Sequence, residues 1–114
     1  MRPIDLANNR RRIISQAPDT EAPTVPSSLV LNNPTSSTLD WSFAGSIDNT
    51  AVVDYVLELR DEGSILIRTY TVTSISGTFT GLNTGKVYKF KAKARDDAGN
   101  ESAYSAFTAL VSTL

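Results

Sequence analysis

From Ser28 onward, apolar and polar residues alternate in short runs, as they do in strands that bury one face. In the clearest run, four apolar residues alternate with four basic ones: Tyr88, Lys89, Phe90, Lys91, Ala92, Lys93, Ala94 and Arg95. Other alternating, β-branched or aromatic runs occupy 29–31, 39–43, 53–59, 65–72, 78–80 and 104–111. Turn-forming residues separate these runs, for example Asp61–Ser64 and Asp96–Asn100. The pattern predicts an all-β fold, a seven-stranded antiparallel sandwich over residues 23–114.

Residues 1–22 do not share this period, and they predict an extended N-terminal arm with a proline-containing linker. Its aliphatic residues are too few to bury a helix face, and the stretch from Pro18 to Pro26 is stiffened by proline. A sandwich does not need such an arm, so we expect residues 1–20 to contact a protein assembly. The residues expected to bind that partner are Arg2, Ile4, Leu6, Arg10, Arg11, Arg12, Ile13 and Ile14. The alternative is a leader or linker remnant with no partner.

Composition excludes several classes of function. The 114 residues include no cysteine and no histidine, so disulfides, thiolate nucleophiles and the usual zinc ligands are excluded. We expect no cofactor. The net charge of −1 gives no field that recruits nucleic acid, and no run is long and apolar enough to span a membrane. The first ten residues lack the apolar stretch of a secretory signal, so a chain that begins natively at Met1 would not be secreted by that route.

Carboxylates are the remaining chemistry, because a pair of them can hydrolyse glycosides. The candidates lie in turns or on predicted solvent faces: Asp48, Asp54, Glu58, Asp61, Glu62, Asp96, Asp97 and Glu101. Turn formation and solvation explain them better, so no enzyme is expected. Calcium would need clustered oxygens such as those of Asp48, Asn49, Asp96, Asp97 and Asn100, but turn capping again accounts for these residues better.

The basic stripe of Lys89, Lys91, Lys93 and Arg95 has two interpretations. It could bind an anionic ligand such as a polysaccharide or a nucleic acid. The favoured interpretation is cross-strand pairing with Asp54 and Glu58 on a neighbouring strand. No exposed aromatic platform evidently accompanies the stripe, which disfavours single-stranded nucleic acid. Sugar stacking on Tyr70 or Tyr104 is the remaining route to a surface glycan.

Several motifs in order carry a family resemblance. The stretch from Leu82 to Tyr88 resembles the approach to strand F of fibronectin type III domains. In that family, the leucine plugs the core, the glycine turns the chain and the tyrosine hydroxyl bonds back to the backbone. The residues that this resemblance marks as structural are Trp41, Tyr55, Leu82, Gly85, Tyr88 and Phe90. The turn from Asp97 to Ser102 is similar to that of bacterial members, whereas Thr84 replaces a common proline.

Two functions follow as hypotheses. In the first, the chain is a non-catalytic decoration protein of a bacteriophage capsid or tail, located in the virion and anchored by its arm. In the second, it is an accessory fibronectin type III module of a secreted bacterial polysaccharide-degrading enzyme, and is extracellular. The resemblance implies neither catalysis nor adhesion through an Arg-Gly-Asp tripeptide, since residues 95–97 read Arg-Asp-Asp.

Overall fold

A computed structural model describes residues 20–49 and 51–114. In these ranges the chain forms strands and no helix. The strands are β1 (Ser27–Asn32), β2 (Leu39–Ala44), β3 (Val52–Asp61), β4 (Leu66–Val72), β5 (Ser76–Phe79), β6 (Val87–Asp96) and β7 (Val111–Ser112). They form two antiparallel sheets, one in the order β1-β2-β5 and the other in the order β4-β3-β6-β7. The predicted seven-stranded sandwich is confirmed. The expected arm lies almost entirely outside the described residues.

The two sheets enclose one aromatic and aliphatic core. β2 and β6 alternate strictly between buried and half-buried positions over most of their length, as the two-residue period requires. Phe79 and Phe90 join the sheets, with ring centroids 5.5 Å apart in an edge-to-face arrangement. Trp41 stacks along Phe43 at 5.7 Å on the same strand.

A glycine makes room for the tryptophan. Gly77 on β5 lies directly opposite Trp41 on β2. A Cβ atom at residue 77 would lie 2.5 Å from Cζ2 of Trp41, closer than any van der Waals contact. The indole therefore lies over the backbone of β5, which only glycine permits at this position.

The predicted last strand, Tyr104 to Val111, is wrong over most of its length, because β7 comprises only Val111 and Ser112. The backbone N–H groups of Ser102, Ser105 and Thr108 donate to the carbonyl oxygens of Ala94, Ala92 and Phe90. Three residues of this segment thus advance as far as two residues of β6, so it is more tightly wound than a strand. We call residues 102–108 the hydroxyl segment.

The hydroxyl segment still satisfies the edge of β6. The hydroxyl oxygens of Ser102, Ser105 and Thr108 accept hydrogen bonds from the N–H groups of Ala94, Ala92 and Phe90, at 2.9, 3.1 and 3.2 Å. A side-chain oxygen therefore replaces the backbone carbonyl that a strand would offer. Alternation cannot reveal this arrangement, because its period is three.

Candidate functional site

The outer face of the four-stranded sheet carries a cluster of charged side chains and two aromatic rings. The basic residues of β6 point away from the core, because their neighbours Tyr88, Phe90, Ala92 and Ala94 are buried. On the adjacent strand β3, Asp54 and Glu58 lie opposite Arg95 and Lys91 in the strand register. The pleat thus places acids and bases side by side on one surface.

Most of these bases have acidic partners. Arg95 makes a two-pronged contact with Asp54, in which Nε and Nη2 lie 2.7 Å from the two carboxylate oxygens. Lys93 Nζ lies 2.7 Å from Glu101, and Lys91 Nζ lies 3.7 Å from Glu58. This is the cross-strand pairing expected from the sequence, with Glu101 as an additional partner. Glu58 is shared with Arg60, and Lys89 contacts the hydroxyl of Ser64 instead of an acid, so the acids on this face offset only part of its positive charge.

The pairing perturbs the ionisation of the partners. The hydrogen bond from Arg95 lowers the pKa of Asp54, and the same bond raises the pKa of Arg95. Burial alone would raise the pKa of Glu58, but the hydrogen bonds from Arg60 and Tyr104, with the nearby charges, lower it. The hydrogen bond to Glu101 raises the pKa of Lys93. Each shift favours the charged form, so the face stays ionised around neutral pH.

Two aromatic rings lie among the lysines. Lys91 Nζ is 4.4 Å from the ring centroid of Tyr104, and Lys93 Nζ is 4.9 Å from the same centroid. Lys89 Nζ lies 4.3 Å from the ring centroid of Phe107. All three distances are within the range of cation–π attraction. We call the set of Lys89, Lys91, Lys93, Tyr104 and Phe107 the cation–aromatic ladder.

The hydroxyl segment creates this ladder. Because every third residue of the segment bonds to β6, Tyr104 and Phe107 occupy equivalent positions three residues apart and project over successive lysines. The two-residue alternation gives no indication of this role of Phe107. A usable signal was present in the spacing of Ser102, Ser105 and Thr108, which repeats every three residues.

The two rings proposed for sugar stacking both have protein contacts. Lys91 and Lys93 both approach the ring of Tyr104. The ring of Tyr70 packs against Phe79 at 5.0 Å, and Arg68 lies 6.0 Å from its centroid. Both rings are half-buried, and sugar stacking on them stays a prediction.

The acidic candidates serve the turns and the ion pairs. Asp61 Oδ1 accepts hydrogen bonds from the N–H groups of Gly63 and Ile65, and these bonds help to lower the pKa of Asp61. Asp96 Oδ1 accepts in the same way from Ala98 and Asn100. Within residues 20–49 and 51–114, no three acidic side chains cluster as metal ligands. An open depression of 460 Å³ is lined by Asp54 and Asp97, and the basic residue Arg95 also lines it.

Two buried tyrosines fasten loops through their hydroxyl groups. The N–H of Asn83 donates to Tyr88 Oη at 2.9 Å, which places Tyr88 five residues after its backbone partner. The N–H of Ser46 donates to Tyr55 Oη at 2.9 Å. Leu82 is buried nearby, and Gly85 has a φ of 68°, a left-handed conformation that favours glycine. Trp41 and Phe90 lie in the core.

The residues expected to bind a partner lie outside the described ranges. These are Arg2, Ile4, Leu6, Arg10, Arg11, Arg12, Ile13 and Ile14. In the described part of the chain, no helix has the length and apolar character needed to cross a membrane.

Comparison with known proteins gives consistent relatives. Chitinase Chi52 of Paenibacillus xylanexedens is 38% identical over 88 residues, which are 77% of this chain and 16% of that protein. Exoglucanase B of Cellulomonas fimi is 40% identical over 89 residues, 78% of this chain and 8% of that protein. Among solved structures, chitinase ChiA74 from Bacillus thuringiensis has a TM-score of 0.69 and 29% identity, over 83% of this chain and 14% of that one.

A family profile gives the same result. The profile of the fibronectin type III domain matches residues 22–109. The twitchin kinase region of C. elegans shares the fold, with a TM-score of 0.71 and 23% identity over 81% of this chain and 17% of that one. The chain spans a small fraction of the curated relatives it matches. The resemblance inferred from motifs between Trp41 and Ser102 is confirmed, and the chain belongs to the fibronectin type III domain family.

Proposed function

We propose that this chain is a non-catalytic accessory module of a bacterial polysaccharide-degrading enzyme, and that it works outside the cell as part of a larger protein. The observation that carries the proposal is the similarity to bacterial chitinases and exoglucanases, of which this module corresponds to 16% or less in the two curated examples. A segment that recurs as a small part of such enzymes serves a need common to them, such as spacing or positioning. These relatives favour the accessory module over the virion decoration protein and give the latter no support.

The geometry of the sandwich agrees with a positioning role. β3 and β6 are ten residues each, so the four-stranded sheet is about 33 Å long at the usual rise per residue. Its outer face is cross-linked by ion pairs and aromatic contacts. A sheet held on both faces makes a stiff spacer. The chain before Pro23 would join it to a neighbouring domain, because Pro23 and Pro26 are themselves buried in the sandwich.

An exchange of modules tests the proposal. In the Paenibacillus chitinase, the segment similar to this chain is replaced by residues 20–114, or deleted, and hydrolysis of insoluble chitin is measured against hydrolysis of a soluble oligosaccharide. We expect the exchange to preserve activity on insoluble chitin that the deletion loses, while activity on the soluble substrate stays equal in all three proteins. A chimera no better than the deletion would contradict the proposal.

The exchange also needs a control for simple spacing. A second chimera carries an unrelated β-sandwich of similar size at the same position. Equal activity of both chimeras would limit the role to distance alone. Higher activity with residues 20–114 would indicate that a surface of this module contributes.

A further inference from the structure

The four edges of the two sheets differ in how well they are protected. An edge strand presents unpaired N–H and C=O groups, and natural sheets cover or interrupt such edges to prevent pairing with another chain. β1 follows Pro26, has a break in register between Ser27 and Val30, and holds Ser28 at a φ of 54°. β5 has only four residues, and β7 only two. The hydroxyl segment protects the remainder of the edge beside β6.

β4 is the exception among the edges of the described sandwich. It is the outermost strand of the four-stranded sheet, and it continues in regular register with β3 for five residues, from Arg68 to Val72. One irregularity occurs, at Ile67, before that stretch. β4 contains no proline or glycine and one charged residue, and β-branched and aromatic residues dominate it. This composition is typical of segments that pair between chains.

Aliphatic residues at the start of β4 are also exposed. Ile65, Leu66 and Ile67 have 65, 45 and 39% of their surface accessible. Their exposure shows that no other segment of the described chain covers this end of the strand edge.

We propose that β4 is a pairing edge through which two copies of this chain associate, strand against antiparallel strand. The regular stretch is compatible with itself. When Arg68–Val72 is set against a second copy centred on Tyr70, Arg68 lies opposite Val72 and Thr69 lies opposite Thr71. No like charges face each other directly, and threonine pairs are favourable across antiparallel strands. The net charge of −1 adds little repulsion between copies.

The associated form has a definite structure. The two four-stranded sheets join through β4 into one continuous sheet across both copies. The outer faces with their cation–aromatic ladders then lie on the same side of the joined sheet, because antiparallel pairing preserves the alternation of faces. This inference is independent of the proposed function, since it concerns the chain alone.

Sedimentation of the full chain tests the pairing. We expect the apparent mass to rise with concentration from 12.3 kDa toward twice that value. In the double variant Thr69→Lys/Thr71→Lys, the introduced lysines would face each other across the pair, whereas within its own sheet residue 69 lies opposite Glu58. This variant should stay folded, as judged by the fluorescence of Trp41, and remain monomeric.

The matched control places two lysines on another edge. Val30 and Asn32 are exposed on β1, and Asn32 lies opposite Asp40. Val30→Lys/Asn32→Lys should associate as the parent does. A parent that stays monomeric up to about 1 mM, or a β4 variant that still associates, would overturn the proposal.

Cross-linking locates the contact directly, because the chain has no native cysteine. An equimolar mixture of Thr69→Cys and Thr71→Cys chains should form disulfide-linked dimers on mild oxidation, since these positions face each other in the proposed register. If no linked dimer forms at a concentration where the parent associates, the copies meet elsewhere and β4 is not the pairing edge.

Discussion

The side chains on the inner and outer faces of β6 are stabilised by different physical effects. On the inner face, Tyr88 and Phe90 are almost fully buried and pack against residues of both sheets. On the outer face, the lysines and Arg95 are half-buried and contact acids and the rings of Tyr104 and Phe107. Burial stabilises through area and packing density, whereas exposed charge contacts are weakened by water and salt. Substitutions on the inner face of β6 should therefore lower the free energy of unfolding more than substitutions on its outer face.

Replacing a phenylalanine on each face gives the largest expected difference. Phe90→Ala should lower the free energy of unfolding by about 3–5 kcal/mol, because it leaves a cavity between the sheets. Phe107→Ala on the outer face should lower it by about 1–2 kcal/mol, through lost surface burial and the contact with Lys89. Urea unfolding followed by Trp41 fluorescence measures both, and equal losses would contradict the contrast.

Overfilling the inner side tests its packing from the opposite direction. Gly77→Ala should cost about 1–3 kcal/mol, because the new methyl group would collide with the indole of Trp41. The control is Gly63→Ala, where a Cβ would meet Asp61 at 3.4 Å, an ordinary contact distance. If both alanine variants unfold at the same urea concentration, Trp41 moves aside readily and the fit is loose.

The tyrosine hydroxyl at the end of β6 is a smaller contribution. Tyr88→Phe should cost about 1 kcal/mol, since the N–H of Asn83 loses its acceptor in a part-buried position. Urea unfolding again measures the loss. An unchanged midpoint would show that water replaces the hydroxyl at no cost.

The acid dependence of stability probes the outer face. The pKa values of Asp54 and Glu58 are lowered in the folded chain, so both carboxylates stabilise it when ionised, and this contribution is lost as the pH falls. Between about pH 5 and pH 3, the parent should lose more stability than Asp54→Asn/Glu58→Gln. The difference should stay below about 1 kcal/mol per pair, because these pairs are partly exposed. Parallel pH profiles of the two proteins would contradict a stabilising role for the ion pairs.

Removal of residues 1–19 should have the smallest effect. The buried prolines Pro23 and Pro26, and the hydrogen bonds between Thr24 and Ile47, remain in the shortened chain. We therefore expect a change in unfolding free energy within about 0.5 kcal/mol. A larger loss, measured by thermal unfolding of both chains, would mean that the arm packs on the sandwich.

The sequence by itself determined the inner face and the fold. A period of two with turn formers between the runs leaves an antiparallel sandwich as the arrangement that buries Leu39, Trp41, Phe43 and Phe90 together. The motif from Leu82 to Tyr88 indicated the family, because its turn and hydroxyl are set by local geometry. The pairing of Arg95 with Asp54 also followed from alternation, once the two strands were taken as neighbours.

The tertiary structure alone decided the outer face and the edges. The alternation rule predicted a strand over residues 104–111. In the structure, the hydroxyls of Ser102, Ser105 and Thr108 take the place of backbone carbonyls, and the segment is more tightly wound than a strand. Tyr104 and Phe107 come over the lysines as a result, and this depends on contacts between segments rather than on local pattern. Whether β4 lies at an edge depends on strand order, which the two-residue period does not encode, because that period specifies which face is buried and not which strand is the neighbour.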